Sequence, residues 1–408
     1  MSARKYGIIL FSSLSVLYFF SILHRVGVAV VALGIMTEFN TDSSVLGLMS
    51  SMYFWPYALA QIPVGIMLDR IGIRKTITIL GLVACLGNLI FSQSPSILFL
   101  GIGRALVGFG LGGFYVSSLK ALAVWFKPER FATLGGALTS IGNFGGVVAT
   151  SPLALLALAI GWRESFLIIF FFMLLFTAVA WFVVKGEEGK SFRSKAGIAS
   201  DLKSIFSNRI FLMTSLAPLF VYGFFISFQG LWGGPFLNDV YGMGMVDVGN
   251  FLIFIALGFM ISVPLAGYVS DRIRRRKPVL LAGISMSLIF WAIMSASGAS
   301  LTTFELDSMF FLLGSGFGFT NIYMTISKEL FDLTICGTSM ASINTFAFLG
   351  AGFFQYFMGF ILNSTYGGAR IFPAYQVIFL LGVVLVSLVL LVALVNKESY
   401  PKKPACPI

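Results

Sequence analysis

The chain has 408 residues, 58% of them hydrophobic and 11% charged, with 44 Phe, 44 Gly and a mean hydropathy of +0.95. A soluble domain carries roughly 25% charge, and disorder, collagen or coiled coil each need polar bias or a strict short period, so a multi-pass membrane protein remains. Three cysteines (Cys85, Cys336, Cys406) and one histidine, His24, leave no metal cluster, disulfide framework or catalytic triad, so no metal, cofactor or enzyme activity is expected, and the net charge of +11 is read from its placement.

Uncharged runs near the ~20 residues that cross ~30 Å of hydrocarbon, divided at turn residues, predict twelve spans. The first, 8–35, follows Arg4 and Lys5 and is too long for the apolar core of a secretory leader. It carries His24 and Arg25 in its second half. The second, 44–67, sets Tyr53, Tyr57 and Gln61 four residues apart on one helical face. The third is 76–93. The fourth, 97–119, contains Arg104, a cation that costs several kcal/mol in a bilayer unless paired or wetted and so faces the bundle interior. Its Gly108, Gly110 and Gly112 read as packing surfaces, and Lys120 closes it as an interface anchor. The fifth, 131–156, carries Asn143, and the sixth is 163–184. The charged interval 185–209 divides six spans from six. The seventh, 210–234, carries Tyr222 and Gln229 and ends in Trp232-Gly233-Gly234-Pro235, a run expected to break or bend its helix. The rest are 245–269, 278–298, 306–327 with Gly314, Gly316, Gly318, Asn321 and Tyr323, 334–362 with Asn344 and Gln355, and 373–395. The expected organisation is therefore a six-helix bundle at 1–184, a cytoplasmic linker at 185–209, a second bundle at 210–397 and a cytoplasmic tail at 398–408.

Of the 27 Lys and Arg, only Arg163 and Arg370 fall in far-side loops, and Arg25, Arg104 and Lys120 lie within spans or at a span end. The remaining 22 collect on one side, which the positive-inside rule makes cytoplasmic, with both termini there. The basic charge reads as a topology signal drawn to anionic lipid head groups, and no nucleic-acid partner is expected. An inner or cytoplasmic membrane and a monomer complete the expectation.

At an offset of 202 residues, Gly65, Asp69, Arg70, Ile71, Arg74, Lys75 and Gly81 recur as Gly267, Asp271, Arg272, Ile273, Arg276, Lys277 and Gly283. That is seven identities in seventeen positions, where composition alone gives about one. A tandem duplication explains it economically. The run Gly65-x-x-x-Asp69-Arg70-x-Gly72-x-Arg74-Lys75 resembles the signature loop of the major facilitator superfamily, with a degenerate copy at Gly267 to Arg272. The resemblance implies two pseudo-symmetric six-helix bundles working by alternating access, with a site near midplane between them. It makes Gly65, Asp69, Arg70, Arg74, Asp271 and Arg272 a conformational latch, in which glycine at a helix end admits a close neighbour and the aspartate pairs with basic groups.

Polar residues within spans are candidate site residues, because the bilayer penalises them. They are His24, Arg25, Tyr53, Tyr57, Gln61, Asn143, Gln229, Asn321 and Asn344, with Arg104, Gly108 and Gly112 assigned to structure. Arg25, Tyr57-x-x-x-Gln61-x-Pro63-x-Gly65, Trp125-Phe126-x-x-x-Arg130 and Gly161-Trp162-Arg163 resemble the organic-anion branch of the superfamily. That resemblance implies a small anionic or zwitterionic organic solute, with the substrate anion on Arg25 and Tyr57 lining the site. A guanidinium offers the matching bidentate fork; against this, Arg25 is also able to brace helices through backbone carbonyls. Many proton-coupled members of the branch carry an acid in the fourth span, and this chain has none there. His24 is then the group whose ordinary pKa of about 6.5 suits proton coupling, the alternative being a neutral cavity hydrogen-bonder. An efflux antiporter and a non-transporting nutrient receptor on the same fold stay open as alternatives.

Overall fold

The computed structural model describes residues 3–126, 128–184, 198–331 and 333–398. Of the expected linker it describes 198–209, including the helix Ile198–Ser207; of the expected tail, only Glu398. Among the described residues the regular structure is helical throughout. Ten helices are long and apolar enough to cross a membrane, and Leu134–Val148 with Ser151–Ile160, bent by 42°, form another span. The consecutive helices Ser43–Ser51 and Phe54–Arg70 lie where the second span is expected.

Chain contacts divide the protein into two compact units, Met1–Thr41 with Leu48–Phe192, and Asp42–Gly47 with Arg193–Ile408. In unit 1 the first span is Ala3–Val26 continued by Val28–Phe39, and the third is Gly72–Ser92. The fourth is Ile97–Leu111 continued by Phe114–Trp125, and the sixth is Trp162–Val183. In unit 2 the seventh span runs Arg209–Tyr241, the eighth Met245–Ile273 and the ninth Lys277–Ser297. The tenth is Thr303–Thr320 continued by Tyr323–Glu329, the eleventh Leu333–Ser364 and the twelfth Phe372–Val395.

The spans fall where the hydropathy predicts them, and their interruptions are new. The seventh does not end at 234 but continues to Tyr241, where Gly242 (φ 66°) caps it in the left-handed region. Two π-helical turns, Ala217–Tyr222 and Phe228–Trp232, lie before Pro235. A wide turn re-pairs carbonyls around a residue that lacks an N–H, so the helix continues through the proline. The tenth span opens on a capping box: Thr302 N donates to Glu305 Oε2 (2.8 Å), while Thr302 Oγ1 accepts from Glu305 N (3.4 Å).

Apolar contact drives little helix association in a lipid-like surround, so close approach depends on small residues. A Cβ at Gly108 would collide with the backbone of Tyr53, one at Gly110 with Leu80 and Ala84, and one at Gly112 would press on Tyr57 O and Ala60. The fourth span therefore packs onto the second and third through opposite faces of one glycine run. Unit 2 repeats the arrangement, Gly314 meeting Ile255 and Gly316 meeting Gly283 and Ser287. Gly65 and Gly267 differ from expectation. A Cβ at either meets nothing within 4 Å, so close packing is not what these two glycines provide. The turn after Gly65 depends instead on Gly72, at φ 80°.

The duplication also shows in ion pairs. In unit 1, Glu38 at the end of the first span accepts from Trp162 Nε1 (2.8 Å) and Arg163 Nε (2.8 Å), and Arg163 also donates to Ser92 O and Ser94 O. In unit 2, Asp239 near the end of the seventh span accepts from Tyr375 OH (2.6 Å) and pairs with Arg370 (3.4 Å). Each far-side arginine thus ties the first helix of its unit to the last.

Candidate functional site

Just before the break at Gly27, two carbonyls of the first span, one turn apart, are taken by side chains from other spans. Ser21 O accepts from Tyr53 OH (3.0 Å), and His24 O accepts from Arg104 Nη1 (2.8 Å). The Arg104 guanidinium lies over the Tyr53 ring, 4.7 Å from its centroid. Arg104, expected to face the interior, is only 1% exposed. Among the described residues it forms no ion pair, and its Nε and Nη2 meet no hydrogen-bond partner.

Arg25, the next residue after His24, is turned toward the second span. Its Nη2 donates to Tyr57 OH (3.4 Å), and its guanidinium lies 5.4 Å from the Tyr57 ring centroid. Arg25 is 9% exposed. The Tyr53 and Tyr57 rings lie 5.7 Å apart. The sequence-predicted pair Arg25 and Tyr57 is therefore brought together, with Tyr53 beside it. Gln61, on the same face, donates to Tyr57 O (3.2 Å) and Gly112 O (3.0 Å), so it ties the second span to the break in the fourth.

His24 faces elsewhere. Its Nε2 lies 3.2 Å from Met173 Sδ and its ring 5.6 Å from Phe166, both on the sixth span. Asn88 of the third span joins this cluster: Nδ2 donates to Phe166 O (2.9 Å) and lies 4.0 Å from Met173 Sδ. His24 Nδ1 and Asn88 Oδ1 are buried without a partner among the described residues. Asn88 escaped the sequence reading although the rule that singled out Asn143 applies to it equally. Asn143 itself is half-buried on the fifth span.

In unit 2, Gln229 is buried in the second π-helical turn, Asn321 is half-buried where the tenth span breaks, and Asn344 is half-buried on the eleventh. Gln355 is fully buried, and neither side-chain polar atom has a partner among the described residues. Unit 2 also holds an aromatic stack in which Phe317 lies against Phe225 (4.5 Å), Phe259 (4.9 Å) and Tyr222 (4.6 Å).

Of the expected latch, the Asp69 side chain lies outside the described residues, Arg70 is exposed, and Arg74 lies 4.0 Å from the Trp181 ring centroid. Its repeat Arg276 grips Glu329 bidentately, Nε to Oε2 (3.1 Å) and Nη2 to Oε1 (2.6 Å), and also pairs with Asp271. Arg272 donates to Tyr268 OH (3.0 Å). Burial opposes the Arg276 charge, but the hydrogen bonds and charges of Glu329 and Asp271 outweigh it and hold its pKa above the ordinary arginine value. Glu398 accepts from Arg276 N (2.8 Å) and Lys277 N (3.2 Å), capping the ninth span. Lys120 donates to Leu68 O (3.0 Å), capping the end of the second span.

Comparison with known proteins agrees with this architecture. The sequence matches the model described as Major Facilitator Superfamily over residues 14–354. A probable sulfoacetate transporter, SauU, of Cupriavidus necator is 27% identical over 323 residues, spanning 72% of this chain and 74% of the relative. The hexuronate transporter of Bacillus subtilis is 24% identical over 337 residues, spanning 78% of each. A bacterial homolog to the human lysosomal transporter Spinster, solved in an inward-facing and unoccupied conformation, superimposes with a TM-score of 0.73 at 17% identity. That match covers 97% of this chain and 96% of the other, and is a likeness of fold. The chain belongs to the Major Facilitator Superfamily and has its twelve-helix, multi-pass membrane fold.

Proposed function

We propose that the protein carries a small organic anion across the membrane by alternating access, with the anionic group of the solute on Arg25 and Tyr57. The observation that carries this reading is the Arg25 guanidinium, held inside a span against the Tyr57 hydroxyl and ring. A guanidinium has a fixed charge and a planar fork that matches carboxylate, sulfonate or phosphate, and both act strongly where water is scarce. The names of the relatives support it: one is a probable sulfoacetate transporter and another a hexuronate transporter. The matching family and the relatives are transporters, which supports a carrier over an enzyme.

Proton coupling is assigned to His24. Arg104, on the histidine's own carbonyl, is the charged group that faces it among the described residues. His24→Gln should keep solute exchange, which needs no net protonation change, and lose accumulation driven by a pH gradient. Accumulation at the wild-type level would leave His24 as a packing partner of Met173.

The test of the main reading is a thermal-shift screen of the purified protein against anionic and zwitterionic metabolites, followed by flux of the best ligand in proteoliposomes. A ligand at 100 times its Kd stabilises by ~2.7 kcal/mol. Stabilisation by an anion with net flux is expected. A cationic or wholly apolar ligand would overturn the reading, and an anion bound without flux would make the protein a receptor.

A further inference from the structure

We infer that Arg104 makes this a site for solutes carrying two negative charges. The inference rests on the reading of Arg25 as the anion-binding group. Arg104 itself does not touch the solute; it acts through its charge and through its hold on the first span.

The first observation is that the Arg104 charge has no acidic partner among the described residues. Every Asp and Glu before residue 185 (Glu38, Asp42, Asp69, Glu129 and Glu164) falls at a helix end or in a loop. The guanidinium is buried with two of its nitrogens unpartnered among the described residues, and its one hydrogen bond goes to a neutral carbonyl. A glutamine would supply that bond without placing a charge in the interior, so the hydrogen bond alone does not explain an arginine.

The second observation is that the fold does without it. The 202-residue offset pairs Asn88 with Phe290, and the glycine run of the fourth span, which recurs 206 residues on as Gly314, Gly316 and Gly318, pairs Arg104 with Phe310. In unit 2 these positions hold two rings 6.2 Å apart, within a cluster that includes Phe228 and Trp291. The same helix packing is thus built in one unit with aromatic side chains and in the other with a cation and an amide. The charge belongs to what unit 1 does and not to how such a unit folds.

The third observation is proximity. Arg104 lies on the Tyr53 ring, Arg25 on the Tyr57 ring, and the two rings are 5.7 Å apart. Arg104 also donates to the carbonyl of His24, the residue before Arg25, so a second cation stands at the same turn of the first span and, in a region of low effective dielectric, raises the positive potential there with little screening. A monoanion seated on Arg25 leaves the field of Arg104 unanswered, and a second negative charge on the solute meets it. Dicarboxylates, sulfocarboxylates and phosphate monoesters are the matching chemistries.

The experiment measures binding of matched pairs to the full-length protein at pH 7.5: C3 to C6 dicarboxylates and sulfoacetate, each against its carboxylate monomethyl ester. The wild type should bind the doubly charged member at least tenfold more tightly. Arg104→Gln should bring that preference within about twofold, while Arg104→Lys should retain it. Should Arg104→Gln not fold, the double variant Arg104→Phe/Asn88→Phe copies the unit 2 pair and gives a second neutral version, with the same loss expected. Equal affinity for both members in the wild type, no binding by any pair, or an undiminished preference in the neutral variants overturns the inference. Arg25→Ala separates it from the underlying reading. Loss of both pair members in Arg25→Ala, with no charge preference in the wild type, sinks only the role of Arg104; unchanged binding in Arg25→Ala sinks the anion site itself.

Discussion

Arg25 and His24 are adjacent in sequence and diverge by about 100° around the helix, which is enough to give them different neighbours. Arg25 meets Tyr57, whereas His24 meets Met173. Substitutions should therefore separate cleanly. A charge-assisted hydrogen bond contributes about 1.5–3 kcal/mol, so Arg25→Ala should weaken binding of an anionic ligand by at least about tenfold. Arg25→Lys keeps the charge but not the fork and should cost roughly fivefold, measured by titration of the screened ligand. The polar-in-span rule made Arg25, Tyr57 and Arg104 legible in the sequence. The different fates of Tyr53 and Gln61 were not legible, because both end on backbone carbonyls near helix breaks, and hydropathy does not reveal where a span breaks.

At the scale of the element, the two copies of the signature turn differ in a way that can be measured. Gly72 sits at φ 80°, and its repeat, Arg274, occupies the left-handed region at φ 53°. A non-glycine residue there costs roughly 1–2 kcal/mol. Arg274→Gly should therefore raise the melting temperature or leave it unchanged, and Gly72→Ala should lower it; a lowered value for Arg274→Gly would refute the comparison. The Arg276 knot should be uneven. Asp271 is mostly exposed and Glu329 largely buried, so Asp271→Asn should cost under about 1 kcal/mol and Glu329→Gln about 2–3 kcal/mol by thermal unfolding in detergent. Because the pKa of Arg276 is raised, its contribution is complete below the ordinary arginine value and fades only as pH climbs beyond it. No loss from arginine deprotonation is expected between pH 5 and 9. At Gly108 the neighbour is backbone, which cannot yield as a side chain does, so Gly108→Val should cost at least about 3 kcal/mol or prevent accumulation in the membrane.

Over the whole molecule, span number and most span limits were readable because a bilayer imposes one length and one polarity on every crossing segment. The duplication was readable where residue identity was kept, in the signature turn and in the glycine runs of the fourth and tenth spans. The paired ties Glu38 with Arg163 and Asp239 with Arg370 were hidden, since an aspartate replaces a glutamate and tyrosine takes the tryptophan's donor role. The charge asymmetry of the loops predicts that both termini are cytoplasmic. A fluorescent reporter that matures only in the cytoplasm, fused after Ile408, should be active, and a silent fusion of correctly inserted protein would contradict that orientation.

Those paired ties also order events in time. A feature present in both halves is most simply inherited from the single six-helix ancestor, and a feature present in one half arose, or was lost, after the gene was doubled. The acid-arginine tie between first and last helices, and the glycine run of the fourth, are therefore older than the two-unit chain. Arg104 and Asn88 against Phe310 and Phe290 are divergence. A primitive carrier assembled from two copies of one ancestral half had either a cation in both or in neither, and solute selectivity would then have been symmetric. Doubling the gene freed the two halves to differ, one holding a charge where the other holds aromatic rings, so the lopsided interior of the present protein follows from fusion into a single chain.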